Sequence, residues 1–221
     1  MPGSSSTSFS SSRRVALALG LVSLLAALAA PLTHKLFAAH MAQHVLLLAV
    51  APSLIVLSSS WTRVWQSLPR ALTHPLFAWT LFNVTMIVWH VPALYDLTLR
   101  SGSLHVLEHC LFFGTGLLFW GAAFDSARLA SWWRIAYLTM GMLVGWLIAL
   151  VLAFATSPLY SAYAALPHRP WGLSELADQQ IAAGVMWVPG SLAYTVAIIV
   201  LVYRWLEPES SARRLGLAGG G

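Results

Sequence analysis

Six long apolar segments with almost no charge inside them decide what this chain can fold into. They run from Val15 to Leu32, Leu36 to Leu57, Leu76 to about Pro92, Leu104 to Phe124, Trp133 to Ala155 and Gln179 to Leu206. Each is close to the roughly 20 residues that a helix rising about 1.5 Å per residue needs to cross a hydrocarbon layer about 30 Å thick. A membrane β-barrel would show stretches of about ten residues with alternating hydrophobicity instead, and none occurs. Charged residues make up 9% of the chain and hydrophobic residues 58%, against about 25% charged in an ordinary soluble domain. That balance excludes a water-soluble globule and a disordered chain. The expected fold is all-α: a polytopic membrane helix bundle of six transmembrane helices with the lipid bilayer as its surroundings.

The net charge is +5, but the basic residues are scattered singly between apolar runs. That pattern orients a protein in a bilayer and gives no patch for nucleic acid. With the N-terminus inside, the cytoplasmic stretches hold Arg13, Arg14, Arg63, Arg70, Arg128, Arg134, Arg204, Arg213 and Arg214, and the outer stretches hold only Lys35, Arg100 and Arg169. Both termini are therefore expected in the cytoplasm. Residues 1–12, Ser-rich and uncharged, read as a disordered tail, residues 13–207 as one transmembrane domain and residues 208–221 as a flexible tail. Arg13-Arg14 followed by an apolar, Ala-rich run also resembles a signal peptide. Pro31 after Ala30 is a poor cleavage context, so an uncleaved helix is favoured. One cysteine, Cys110, excludes an intrachain disulfide and a CxxC motif.

Trp61, Val64, Trp65 and Leu68 fall at i, i+3, i+4 and i+7, the stripe of a short helix lying on the membrane surface, and Pro69 ends it. Trp89, Trp120, Trp133, Trp171 and Trp205 sit near span ends, as an aromatic belt would. Gly141 and Gly145 permit close helix packing. Pro189-Gly190 should kink the sixth span and Pro52 should loosen the second.

The histidines carry the chemistry. Seven of the eight fall on the outer side: His34, His40, His44, His90, His105, His109 and His168, with only His74 cytoplasmic. His40 and His44 are i, i+4 and share a helix face, and so do His105 and His109, with Glu108 beside them. Counting from Leu36, His40 lies about 6 Å and His44 about 12 Å below the outer boundary. Groups at that depth face the bundle interior and find partners, and neutral imidazole is a metal ligand. A lone membrane histidine is usually a hydrogen-bonded packing residue. Two pairs on separate helices at one depth, with His90, point instead to a metal or cofactor site.

Met186 lies seven residues after Gln179 on the same face, and a thioether among imidazoles suits Cu(I). His105-Val-Leu-Glu108-His109 also fits the H-x-x-E-H pattern of zinc peptidases, with Glu108 as general base. Orientation of a ligating imidazole by Glu108 is the plainer role. Cys110 points about 100° away from His109 and reads as packing. Asp178 opens the sixth span, as an N-cap or as part of a polar gate over the histidines.

His40-Met41-Ala42-Gln43-His44, Trp89-His90-Val91-Pro92, Leu104-His105-Val106-Leu107-Glu108-His109 with Phe119-Trp120, and Asp178-Gln179-Gln180 leading to Met186-Trp187-Val188-Pro189-Gly190 together resemble the bacterial multi-span CtaG family of cytochrome c oxidase assembly proteins. The resemblance runs from about Phe37 to Trp205. It implies a bacterial plasma-membrane protein that helps mature a haem–copper oxidase, in copper supply or insertion, without catalytic turnover. It implies oxidase subunits as partners, a copper donor on the outer side, and a metal site at His40, His44, His90, His105, Glu108 and His109, with Met186 and Asp178 as further members. Rival readings are a structural subunit of a respiratory complex, a haem b protein clamped by His44 and His109, and an intramembrane zinc hydrolase.

Overall fold

The computed structural model describes residues 4–29, 32–125 and 127–214. The helices are α1 (Ser4–Leu28), α2 (Phe37–Val45), α3 (Ala51–Val56), α4 (Ser59–Ser67), α5 (Pro75–Trp89), α6 (Pro92–Arg100), α7 (Gly102–Phe124), α8 (Ser131–Phe154), α9 (Ser161–Ala164) and α10 (Glu175–Arg214). No strand occurs among the described residues. Among the described residues, five spans are long and apolar enough to cross a membrane, six if the bent pair α5–α6 counts as one. The chain is thus an all-helical, multi-pass membrane bundle.

Proline placement shapes the two spans that bear on the site. Helices α2 and α3 form one continuous span, Phe37–Val56, joined by a π-helical turn at Leu46–Val50. Pro52 brings no N–H to the ladder, so the carbonyl four residues back, that of Leu48, loses its helical partner. Trp120 on α7 supplies a replacement, its Nε1–H donating to Leu48 O at 3.1 Å. A Cβ on Gly116 would stand 2.9 Å from both Leu48 O and Pro52 Cγ, so glycine is what lets α7 close on this bend. The third span departs from the continuous crossing expected over Leu76 to Pro92. Pro92 disfavours helix at Val91, which is extended (φ −66, ψ 123). The chain turns there by 76° into α6, leaving His90 at the corner. By contrast, α10 stays helical through Pro189-Gly190.

The expected surface helix is α4, and it ends before Pro69. Its tryptophans turn toward the bundle: Trp65 Nε1 donates to Asp125 Oδ2 at 2.9 Å, and its ring lies where a side chain on Gly121 would be. Val64 is left exposed. Trp89 and Trp120 are core residues rather than belt residues, at 6% and 0% exposure, whereas Trp133, Trp171 and Trp205 are exposed. Gly141 receives the Phe119 ring, 2.8 Å from where its Cβ would be. The helices also reach into the expected tails. Serine is only mildly unfavourable in a helix, and α1 starts at Ser4, while α10 continues to Arg214. Residues 1–3 and 215–221 lie outside the described residues.

The larger core runs through Leu47, Phe82, Phe112, Phe119, Trp120 and Leu138. A smaller one, with Phe37, Met41, Tyr95, Tyr160 and Tyr163, covers the end where the histidines gather. Large apolar side chains such as Leu147, Val151, Val188 and Ile199 point outward, as a surface in contact with lipid requires.

Candidate metal centre

Helices α2 and α7 each present a one-face polar stripe, and the two stripes meet. His40, His44, Glu108 and His109 each offer one ligand atom, and these four atoms lie within 4.8 Å of one another. His40 and Glu108 are 0% exposed and His44 is 2% exposed. His105, one turn before His109, brings its Nε2 to 3.3 Å from His40 Nε2. The exposed His34 ring stands 6.5 Å from that of His105, and the His90 ring 6.1 Å from that of His44. The imidazoles therefore form a ladder from the surface inward, with the four-residue group in its middle.

Neighbours fix which nitrogen of two rings is free. Tyr163 donates its hydroxyl proton to Thr33 O, so its oxygen accepts from His40 Nδ1–H at 2.8 Å. Burial pushes the Tyr163 phenol above its usual range, so the proton stays in place. His40 Nε2 is left with its lone pair pointing at the group. His90 Nδ1 donates to Met86 O at 2.7 Å, which likewise leaves Nε2 unprotonated. Partners of this kind orient ligating imidazoles in metal sites.

The loops between α8 and α10 form the roof. Asp96 on α6 accepts from Ser161 N at 3.1 Å, Ser161 Oγ at 2.5 Å and Ala162 N at 3.0 Å, capping α9. Tyr160 donates to His90 O at 3.0 Å. Arg169 donates to Tyr163 O and its Nε lies 3.9 Å from Asp178 Oδ2. None of Tyr160, Tyr163, Asp96 and Arg169 stood out in the sequence, because each acts by meeting a distant backbone group rather than by a local pattern.

Several atoms in this pocket lack a partner. His44 Nδ1 and Nε2, His90 Nε2, His109 Nε2 and both Glu108 oxygens are buried without a hydrogen bond. Glu108 Oε1 stands 3.7 Å from His44 Nε2, too far for a hydrogen bond. An unmet buried polar group costs about 1–3 kcal/mol and such groups are rare. A cation among them would satisfy several at once, and three imidazoles with a carboxylate are a donor set for a first-row transition metal. Two nitrogens about 2.0–2.1 Å from one tetrahedral ion stand about 3.3–3.4 Å apart, a spacing His40 and His105 already have.

The remaining residues singled out in the sequence fall elsewhere. Asp178 turns both oxygens to the start of α2, accepting from Phe37 N at 2.8 Å and Ala38 N at 3.0 Å. It caps the helix that carries His40 rather than its own helix, and its carboxylate is committed there instead of to the histidine group. Met186 is not in the four-residue group but lines a cavity whose wall also includes His44 and His90. Cys110 is exposed rather than packed inside, about 100° around α7 from His109.

Comparison with known proteins adds an independent finding. Residues 3–208 match the Caa3_CtaG family, described as cytochrome c oxidase caa3 assembly factor. Two uncharacterized mycobacterial proteins, Mb0105 of Mycobacterium bovis and MT0111 of Mycobacterium tuberculosis, are each 25% identical over 201 residues, covering 79% of this chain and 30% of the relative. The chain thus spans under a third of the length of the curated relatives it matches. No solved structure matches it significantly.

Proposed function

We propose, for a chain that belongs to the cytochrome c oxidase caa3 assembly factor family, that it binds copper among His40, His44, Glu108 and His109 and hands it to a haem–copper oxidase within the plane of the membrane. The observation that carries the reading is the convergence of these four residues, from two different helices, in a buried pocket with unpartnered ligand atoms. Imidazole and carboxylate donors bind copper ahead of the other divalent first-row ions. The arginine bias supports an orientation with the histidine end outside the cytoplasm, and in this reading copper from an outer donor meets His34 and His105 first. His105 passes it to His40 by ligand exchange, and the ion settles deeper among His44, Glu108 and His109. Copper here is cargo, so the donors hold it by adaptable side chains rather than by a closed thiolate cage.

A haem clamped between His44 and His109 fits less well. Their ring centroids are 5.6 Å apart, and the cavity that borders His44 is about 50 Å³, far below the several hundred Å³ that an organic ligand needs. The test is cellular. Alanine at His40, His44, His105 and His109 should leave the protein in the membrane while assembled, copper-loaded oxidase falls at least about tenfold, with partial recovery in excess copper. Unchanged oxidase copper in that strain would refute the reading.

A further inference from the structure

The cavity of about 50 Å³ that borders His44 is lined by four of the chain's six methionines: Met41, Met86, Met142 and Met186. His44 and His90 complete its wall. The elements that supply these side chains are separate in sequence: α2, α5, α8 and α10 each give one methionine. Methionine is an ordinary gap filler in apolar cores, but a gap filler leaves no gap, and these four surround one. Met86 Sδ lies beside Gly145, about where a Cβ there would touch it at 3.9 Å, so this wall of α8 carries no side chain in front of the sulfur.

The polar atoms that border the cavity divide into spent and unspent. Ser191 donates to Trp187 O and accepts from Trp146 Nε1, so its hydroxyl is occupied. His90 Nδ1 donates to Met86 O, which leaves Nε2 as a lone-pair nitrogen, buried and unpartnered. His44 belongs to the histidine–carboxylate group through its ring, yet neither of its nitrogens has a hydrogen bond. Among the described residues, no carboxylate lines the cavity. The donor set is neutral: thioether sulfur with imidazole nitrogen.

We infer that this cavity is a second metal site, selective for the soft monovalent ion Cu(I), distinct from the histidine–carboxylate group and joined to it through His44. Thioether sulfur prefers Cu(I) to zinc, manganese or magnesium. A neutral wall in the bilayer interior also penalises a divalent ion, whose second charge finds no carboxylate, more than a monovalent one. The volume admits a bare ion with one or two waters at most. The site stands on its own geometry; its use as a deeper station for cargo rests on the copper reading above, with copper entering as Cu(I) so that no electron is gained or lost between the two groups.

The experiment uses the full chain purified in detergent, titrated anaerobically with Cu(I) against a chromophoric chelator, with copper-edge X-ray absorption to read its neighbours. The inference predicts a sulfur-ligated equivalent of Cu(I). It survives His40→Ala/His109→Ala and is lost in the variant carrying Met41→Leu, Met86→Leu, Met142→Leu and Met186→Leu, whose volumes are nearly conserved. Selenomethionine-labelled protein gives a check that needs no mutation, since the selenium edge should then report a copper neighbour. Copper with only nitrogen and oxygen neighbours, or sulfur-ligated copper that disappears with His40 and His109, overturns the inference. A nitrogen-ligated equivalent absent from the wild type, with the sulfur-ligated one present, would instead refute the histidine-site reading and leave this one standing.

Discussion

His40 Nε2 and His105 Nε2 stand 3.3 Å apart although the two residues are 65 positions apart and sit on different helices. The Tyr163 hydroxyl holds the other nitrogen of His40, and Thr33 O holds the Tyr163 proton. The pair is thus arranged with one lone pair already facing the group, and a cation can take the place of the proton that His105 shares with it.

Removing the hydroxyl from this relay gives the first prediction. Tyr163→Phe frees the His40 ring to rotate and to change tautomer. Loss of such an orienting partner weakens metal affinity about 10- to 100-fold, while unfolding stability falls by about 1–3 kcal/mol because the buried Thr33 O loses the Tyr163 donor. Chelator competition on the purified variant checks the affinity, and the copper stoichiometry should stay as in the wild type.

Asp178 separates a cap from a ligand. Asp178→Asn keeps the shape but weakens the bonds to Phe37 N and Ala38 N and removes the charge facing Arg169. A cap of this kind contributes about 0.5–2 kcal/mol, so the variant should lose at most that much stability in detergent denaturation while still binding its full complement of copper. A missing equivalent of copper would make Asp178 a ligand after all.

The proline bend in the second span yields a double-mutant test. Trp120→Phe strands Leu48 O in the core, at a cost of about 1–3 kcal/mol. With Pro52→Ala in the background, the N–H of the new alanine can reach the same carbonyl, so the tryptophan change should cost clearly less there. Equal costs in both backgrounds, measured by denaturation in detergent, would mean that the Trp120 hydrogen bond to Leu48 does not replace the one Pro52 cannot make.

Part of this architecture is legible in the sequence. The i, i+4 pairs at His40 and His44 and at His105 and His109 lie in the right apolar runs, because helix periodicity puts such pairs on one face wherever the helix is. The face of Trp61 and Trp65 was visible for the same reason, but not that it would dock on Gly121 and Asp125. What escaped depends on long-range meetings. Asp178 caps a helix 141 residues before it, and Tyr163 reaches His40 from a loop with no periodic signal. Trp89 and Trp120 looked like interface residues because they sit near span ends, and only the packing of α5 and α7 buries them. The corner after Trp89 was written in Val91-Pro92, yet its 76° bend takes a third dimension to see. The four methionines come from four helices, so no window of sequence contains their cavity.

The most direct test of the account is the electron paramagnetic resonance spectrum of Cu(II) added to the detergent-purified chain, with the His40→Ala/His44→Ala/His109→Ala variant alongside. Thioether-held Cu(I) is silent in this measurement, so it reads the histidine group alone. The account predicts one tightly held Cu(II) per chain with nitrogen hyperfine structure, absent from the variant. No bound Cu(II) in the wild type, or the same spectrum in both proteins, would contradict it.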